Sequence, residues 1–188
     1  GADIVVHSTT KYFGGHSDVL GGCVVINDLP ALNEKIRNIQ IHCGAVPSPF
    51  DCWLITRGIQ TMKLRVMAQT NSAMALAIFL DSHPNIEQVI YPGLRTHPQY
   101  ALASRQMTVG YGAMLSVLII GGEKSALEVA NKLEHFTSAT SLGGVESLIE
   151  HRKSVEGPDS ATPDNLLRLS LGLENLDDLI ADWTQALE

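Results

Sequence analysis

Residues 3–17, DIVVHSTTKYFGGHS, constrain this chain more than any other stretch. The run Ile4-Val5-Val6 is apolar and β-branched, the pattern of a short buried strand over Ile4 to His7. It delivers the chain into hydroxyls and glycines, with Lys11 among them, a stretch too irregular for a strand or a helix. Burying a lysine ammonium beside such a strand costs on the order of several kcal/mol unless something compensates. A covalent bond from the lysine nitrogen to an aldehyde cofactor removes that cost, because the nitrogen becomes part of the cofactor. Ser8 and Thr10 stand three and one residues before Lys11, where their hydroxyls can donate to a phosphate group without adding charge.

The remaining chain alternates strands and helices, which indicates an α/β or α+β architecture. Cys23 to Ile26 reads as a second strand. Leu32, Ile36 and Ile39 recur at helical spacing behind Pro30, a residue tolerated in a first turn. Pro47 and Pro49 break the chain before a short helix at Asp51 to Ile55. A separate, longer helix spans about Thr61 to Leu80, with Leu64, Met67, Ala68, Ala75, Ile78 and Phe79 as its apolar stripe. Strands are expected at Ile86 to Tyr91, Ala113 to Ile120, Leu148-Ile149 and Leu166 to Leu171. Helices are expected at Lys124 to Leu133 and Asp177 to Leu187, and a surface loop at Glu156 to Asp164.

Several function classes are excluded or disfavoured by composition. The formal charge of −7 repels the phosphates of nucleic acid. Met114 to Ile120 is far too short to span a membrane, which takes about 20 residues. Cys23, Cys43 and Cys52 are odd in number and form no CxxC pair, so a reducing, cytoplasmic setting is expected. The histidines show no metal-ligand spacing, and no metal is expected. The chain opens at Gly1 without an initiator methionine and runs at once into an apolar strand, which reads as the later part of a longer protein.

Three motifs carry a family resemblance. Residues 3–17 satisfy the lysine signature of the Cys/Met-metabolism pyridoxal-phosphate enzymes, with Ser-Thr-Thr-Lys at 8–11 and Gly-His-Ser at 15–17. Residues 141–148, SLGGVESL, resemble that family's SLGGxES segment, and residues 167–174, LRLSLGLE, resemble its LxRLSxGxE segment. The resemblance covers essentially the whole chain, as a C-terminal half. It implies the C-terminal part of a fold-type-I, pyridoxal-phosphate-binding large domain over residues 1–62, then a smaller α+β C-terminal domain over 63–188 that includes the long connecting helix.

The resemblance also implies roles. Lys11 is the cofactor-bearing lysine and moves protons at the substrate Cα. Ser8 and Thr10 hold the cofactor phosphate, Arg168 clamps the substrate α-carboxylate, and Ser141 helps hold the lysine or the carboxylate. His7 and His16 belong to the lysine signature and are expected to orient the loop. Plainer readings stand beside these: Lys11 as a solvated loop lysine, Ser8, Thr10 and Ser141 as turn caps, and Arg168 as an ion-pair partner within a strand.

The implied chemistry is carbon–sulfur bond formation or cleavage in trans-sulfuration, by γ-elimination or γ-replacement on cystathionine or a homoserine ester. The β-lyase, methionine γ-lyase and homoserine sulfhydrylase reactions stay open, as do a non-catalytic assembly paralogue and an inactive cofactor-binding fragment. Thr140 stands where many cystathionine-processing relatives carry a glutamate, and residues 150–158, EHRKSVEGP, lack the Thr-His-Ala of several relatives. Both departures bear on substrate choice. The expected partners are a small amino acid and further copies of the same chain, as a homo-oligomer built from dimers, most simply a tetramer. Relatives take cofactor-binding residues from upstream segments and a neighbouring subunit, and no arginine or second lysine lies within the lysine segment to balance a phosphate dianion.

Overall fold

The computed structural model describes all of residues 1–188. The chain divides into two compact units, Gly1–Met62 and Lys63–Glu188.

In the first unit, strands β1 (Ile4–Ser8) and β2 (Gly22–Ile26) pair antiparallel from Ile4↔Ile26 to Ser8↔Gly22. Thr9–Phe13 forms a single wide helical turn directly after β1, where sequence alone suggested no regular structure. Backbone bonds from Thr9 N to Gly21 O (2.9 Å), Gly14 N to Thr9 O (2.9 Å) and Gly15 N to Lys11 O (2.8 Å) tie this turn together. The expected burial of β1 is not found: every residue of it is exposed, Val6 to 71%. A continuous apolar run is the composition of a strand covered on both faces, and the first unit supplies no such cover. Helix α1 (Pro30–Cys43) starts on Pro30 and ends at Gly44, whose φ of 66° closes it in the left-handed conformation that glycine tolerates. None of its residues is buried.

Helix α2 (Pro49–Asp81) is one uninterrupted helix of 33 residues and replaces the two helices expected there. Gly58, which lies between the two expected helices, serves close packing. A Cβ at that position would lie 2.3 Å from the Gly14 carbonyl oxygen and 2.5 Å from that of Phe13. Within the second unit, the apolar stripe also differs from expectation. Leu64 and Ile78 face solvent, while Arg65, Gln69, Ala73, Leu76, Ala77 and Leu80 are buried. Three polar residues, Arg65, Gln69 and Thr70, occupy core-facing positions, and that displaced the hydrophobic pattern read from the sequence.

The second unit is built on a five-stranded sheet of order β3-β4-β7-β6-β5. Its strands are β3 (Ile86–Ile90), β4 (Met114–Ile119), β5 (Thr137–Ser138), β6 (Leu148–His151) and β7 (Leu166–Ser170). All neighbours pair antiparallel except β5 with β6. Helices α3 (Tyr100–Gln106) and α5 (Arg152–Glu156) are short and carried no clear sequence period; α4 (Gly122–Lys132) and α6 (Leu176–Leu187) form close to where helices were expected, and both are amphipathic. Asn175 caps α6 by accepting from Asp177 N at 2.8 Å. Trp183 is fully buried and meets Phe136 edge-on at 6.0 Å. The nearly buried Asp182 carboxylate accepts the Glu134 and His135 amides at 2.9 and 2.8 Å, so its charge is answered by the backbone.

Candidate active site

Ser8, Thr10 and Lys11 come together in the first unit because β1 ends in the turn that holds them. Lys11 has φ −92° and ψ −128°, so the helical path breaks at the lysine itself. The Thr10 hydroxyl accepts the Gly21 amide at 3.1 Å and lies 3.4 Å from the Gly21 carbonyl, a long contact that leaves its proton weakly used. Ser8 is exposed at the end of β1. The Thr9 hydroxyl is buried and has no hydrogen-bond partner. Tight glycines shape the turn: a Cβ on Gly14 would meet Val19 Cγ1 at 2.5 Å, and one on Gly21 would meet Thr9 Oγ1 at 2.8 Å. His16 Nδ1 contacts the Gly14 carbonyl at 2.8 Å, and His7 packs against Phe13 with ring centroids 4.9 Å apart. Both histidines therefore brace the turn, in keeping with an orienting role. Burial pushes the Tyr12 phenol above its usual range, so it stays protonated at neutral pH.

This donor set fits pyridoxal phosphate. A primary amine stands one residue from a hydroxyl with proton capacity to spare and three from an exposed one, at the point where β1 runs into a glycine-shaped turn. Lys11 is the only group of the three that can bind an aldehyde covalently.

Ser141 and Arg168 come together in the second unit. Arg168 sits mid-strand in β7 and donates from Nη2 to the Ser141 carbonyl at 3.2 Å. Ser141 holds φ at 101°, a conformation costly for a residue with a side chain. The surrounding loop is fixed at several points. The fully buried Gln69 donates to Gly144 O at 2.6 Å, and Gly143 N donates to Ser170 Oγ at 3.1 Å. Ser147 gives its amide and hydroxyl to the two Glu174 carboxylate oxygens at 2.6 and 2.7 Å, and takes the Gly172 amide at 2.9 Å. The motifs at 141–148 and 167–174 are thus interlocked, and each positions the other.

Sequence reading missed Gln69, and it missed Glu150. The Glu150 carboxylate, 4% exposed, accepts through Oε1 from Arg168 Nε at 2.6 Å and Arg152 Nη1 at 2.8 Å. Arg152 also reaches Glu156 at 2.6 Å, and hydrogen bonds to Glu150 and then Glu156 raise its pKa. Glu156 is pulled down to about 2 by the Ser160 hydroxyl, then the Thr162 hydroxyl, then Arg152. The segment that departs from relatives is therefore a charge cluster attached to the clamp candidate. Arg168 does hold an ion pair within the sheet, as its plainer reading anticipated.

A turn built around a lysine, two hydroxyls and tight glycines offers the groups a pyridoxal phosphate would need, and comparison with known proteins identifies the class. The family model described as Cys/Met metabolism PLP-dependent enzyme matches residues 1–188. A cystathionine gamma-synthase of Mycobacterium tuberculosis is 48% identical over 192 residues, covering 100% of this chain and 49% of that protein. A cystathionine gamma-lyase of Dictyostelium discoideum is 44% identical over 196 residues, covering 100% and 50%. The crystal structure of a cystathionine gamma synthase from Xanthomonas oryzae pv. oryzae in complex with cystathionine superposes with a TM-score of 0.93 at 44% identity, over 100% of this chain and 50% of that one. The chain belongs to the Cys/Met metabolism PLP-dependent enzyme family, a family of trans-sulfuration. It spans about half the length of the curated relatives it matches.

Proposed function

We propose that the protein carrying this chain makes or breaks a carbon–sulfur bond at the γ position of an amino acid, with cystathionine or a homoserine ester as substrate. The observation that carries the reading is the Lys11 turn, where the backbone breaks at the lysine and Ser8 and Thr10 closely precede it on the chain. The identity of the relatives named above as γ-synthases and γ-lyases supports γ over β chemistry.

Bound pyridoxal phosphate supplies an electron-withdrawing ring that makes the Cα proton of an amino acid acidic. Lys11 holds the cofactor covalently and, once its amine is released, takes and returns the Cα proton. The Ser8 and Thr10 hydroxyls donate to the phosphate and set the register of the amine. Arg168 grips the α-carboxylate, for which a planar guanidinium fork suits better than an ammonium. Ser141, held in its strained conformation, helps keep the lysine or the carboxylate in place.

Product analysis on full-length enzyme tests the reading. Cystathionine formed from a homoserine ester and cysteine supports γ-replacement, and cysteine released from cystathionine supports γ-elimination. Homocysteine released from cystathionine would mean β-cleavage and would overturn the proposal.

A further inference from the structure

Glu150 faces Arg168 directly across the β6–β7 ladder. Its Oε2 is buried without a hydrogen-bond partner, while its Oε1 takes both arginines. A buried ion pair of this kind contributes little net stability, since desolvation offsets most of the attraction. What it does fix is geometry. On Arg168, Nε is committed to Glu150 and Nη2 gives one hydrogen to the Ser141 carbonyl. Those two nitrogens form one edge of the guanidinium. The end edge, Nη1 with the second hydrogen of Nη2, carries no hydrogen bond or ion pair, and the side chain is 24% exposed.

A carboxylate this close would ordinarily neutralise the arginine it orients. Here Arg152 shares the same oxygen, so the trio Arg152–Glu150–Arg168 carries one net positive charge. The balancing carboxylate, Glu156, sits at the other end of Arg152, held there by Ser160 and Thr162. With Glu156 counted the four charges cancel, and Arg168 faces a Glu150 oxygen that is shared with Arg152 rather than held by Arg168 alone.

We propose that Glu150 is a positioning residue that presents Arg168 end-on, through Nη1 and Nη2, to an amino-acid α-carboxylate, and that Arg152 keeps Glu150 from neutralising it. This rests on the reading of Arg168 as the carboxylate clamp. The segment that departs from relatives thereby acquires a role at the site, the tuning of the clamp.

The test uses full-length holoenzyme with cystathionine as probe, reading KM, kcat, cofactor occupancy and Tm for Glu150→Gln, Arg152→Gln, Arg168→Lys and the double Glu150→Gln/Arg168→Lys. Glu150→Gln should raise KM about tenfold with kcat, cofactor and Tm nearly unchanged, because lost uniform binding appears in KM. Arg152→Gln should raise KM roughly threefold, the share expected of a part-exposed charge. In the Arg168→Lys background, Glu150→Gln should add less than about twofold, since two residues acting through one contact are not additive. A KM unchanged by Glu150→Gln, or an effect that multiplies in full on Arg168→Lys, would overturn the proposal while leaving the clamp intact. Unchanged affinity in Arg168→Lys alone would remove the clamp reading itself and this inference with it. Should Glu150→Gln fail to fold, Arg152→Gln decides: a threefold rise supports the relay and an unchanged KM contradicts it.

Discussion

Arg168 carries two kinds of contact, and its replacement separates them. Arg168→Lys keeps a positive charge opposite Glu150 but loses the planar fork. Amino-acid binding should weaken by about 1.5–3 kcal/mol, the worth of a charge-assisted contact, with cofactor retention unaffected. Titration of the holoenzyme with substrate measures it, and unchanged affinity would make Arg168 purely structural. Ser141 invites a different experiment. Its φ of 101° is the strained kind of backbone that glycine tolerates. Ser141→Gly should leave thermal stability equal or higher, by roughly 0–2 kcal/mol after the glycine entropy cost, while turnover falls. A drop in Tm would show that the hydroxyl serves packing.

Glu156 governs the acid end of the stability profile around α5. Its carboxyl is lowered from 4.5 to about 2 in the folded chain, so the unfolded state binds its proton first as pH falls. Its contribution is present above pH 4.5 and is lost as pH drops from there through 2. Glu156→Gln should therefore flatten the loss of Tm across that window. An equally steep acid limb in the variant would contradict the assignment. At this scale the sequence was informative where chemistry is local. The lysine, its hydroxyls and its glycines lie within one turn, so their grouping could be read from spacing. Glu150 could not be found that way, because it meets Arg168 only through strand register.

Helices and strands show the same division. The amphipathic helices α4 and α6 and the buried strand β4 were legible because each shows one face or one apolar run. Helix α2 was misread twice. It was read as two helices, yet it runs unbroken through Gly58, which serves a backbone approach, and Arg65, Gln69 and Thr70 on the core side concealed which face is buried. Strand β1 was recognised but its burial was not, because a run of branched apolar residues reports what a strand tolerates rather than what covers it. Gly58→Ala should destabilise the protein by about 1–3 kcal/mol through overpacking, despite the better helix propensity of alanine. Denaturant unfolding of the full-length protein measures this. A stabilised variant would mean that the turn beside Gly14 yields easily.

For the whole molecule, the chain's family is established and its assembly is a prediction. The hydroxyls beside Lys11 bring no positive charge to a phosphate dianion, and a buried dianion without a cation is costly. We expect the full-length protein to be a homo-oligomer, a tetramer of two dimers, in which another copy supplies that cation. Light scattering on the holoenzyme should show it, and a stable, fully active monomer would contradict it. The central claim, though, is that Lys11 bears the cofactor, and one measurement reaches it without any assumption about substrate. Borohydride reduction of the full-length holoenzyme, followed by peptide mapping, should place a pyridoxyl group on Lys11. A label on Lys35 or Lys63 instead, or none on any lysine of this chain, would contradict the account.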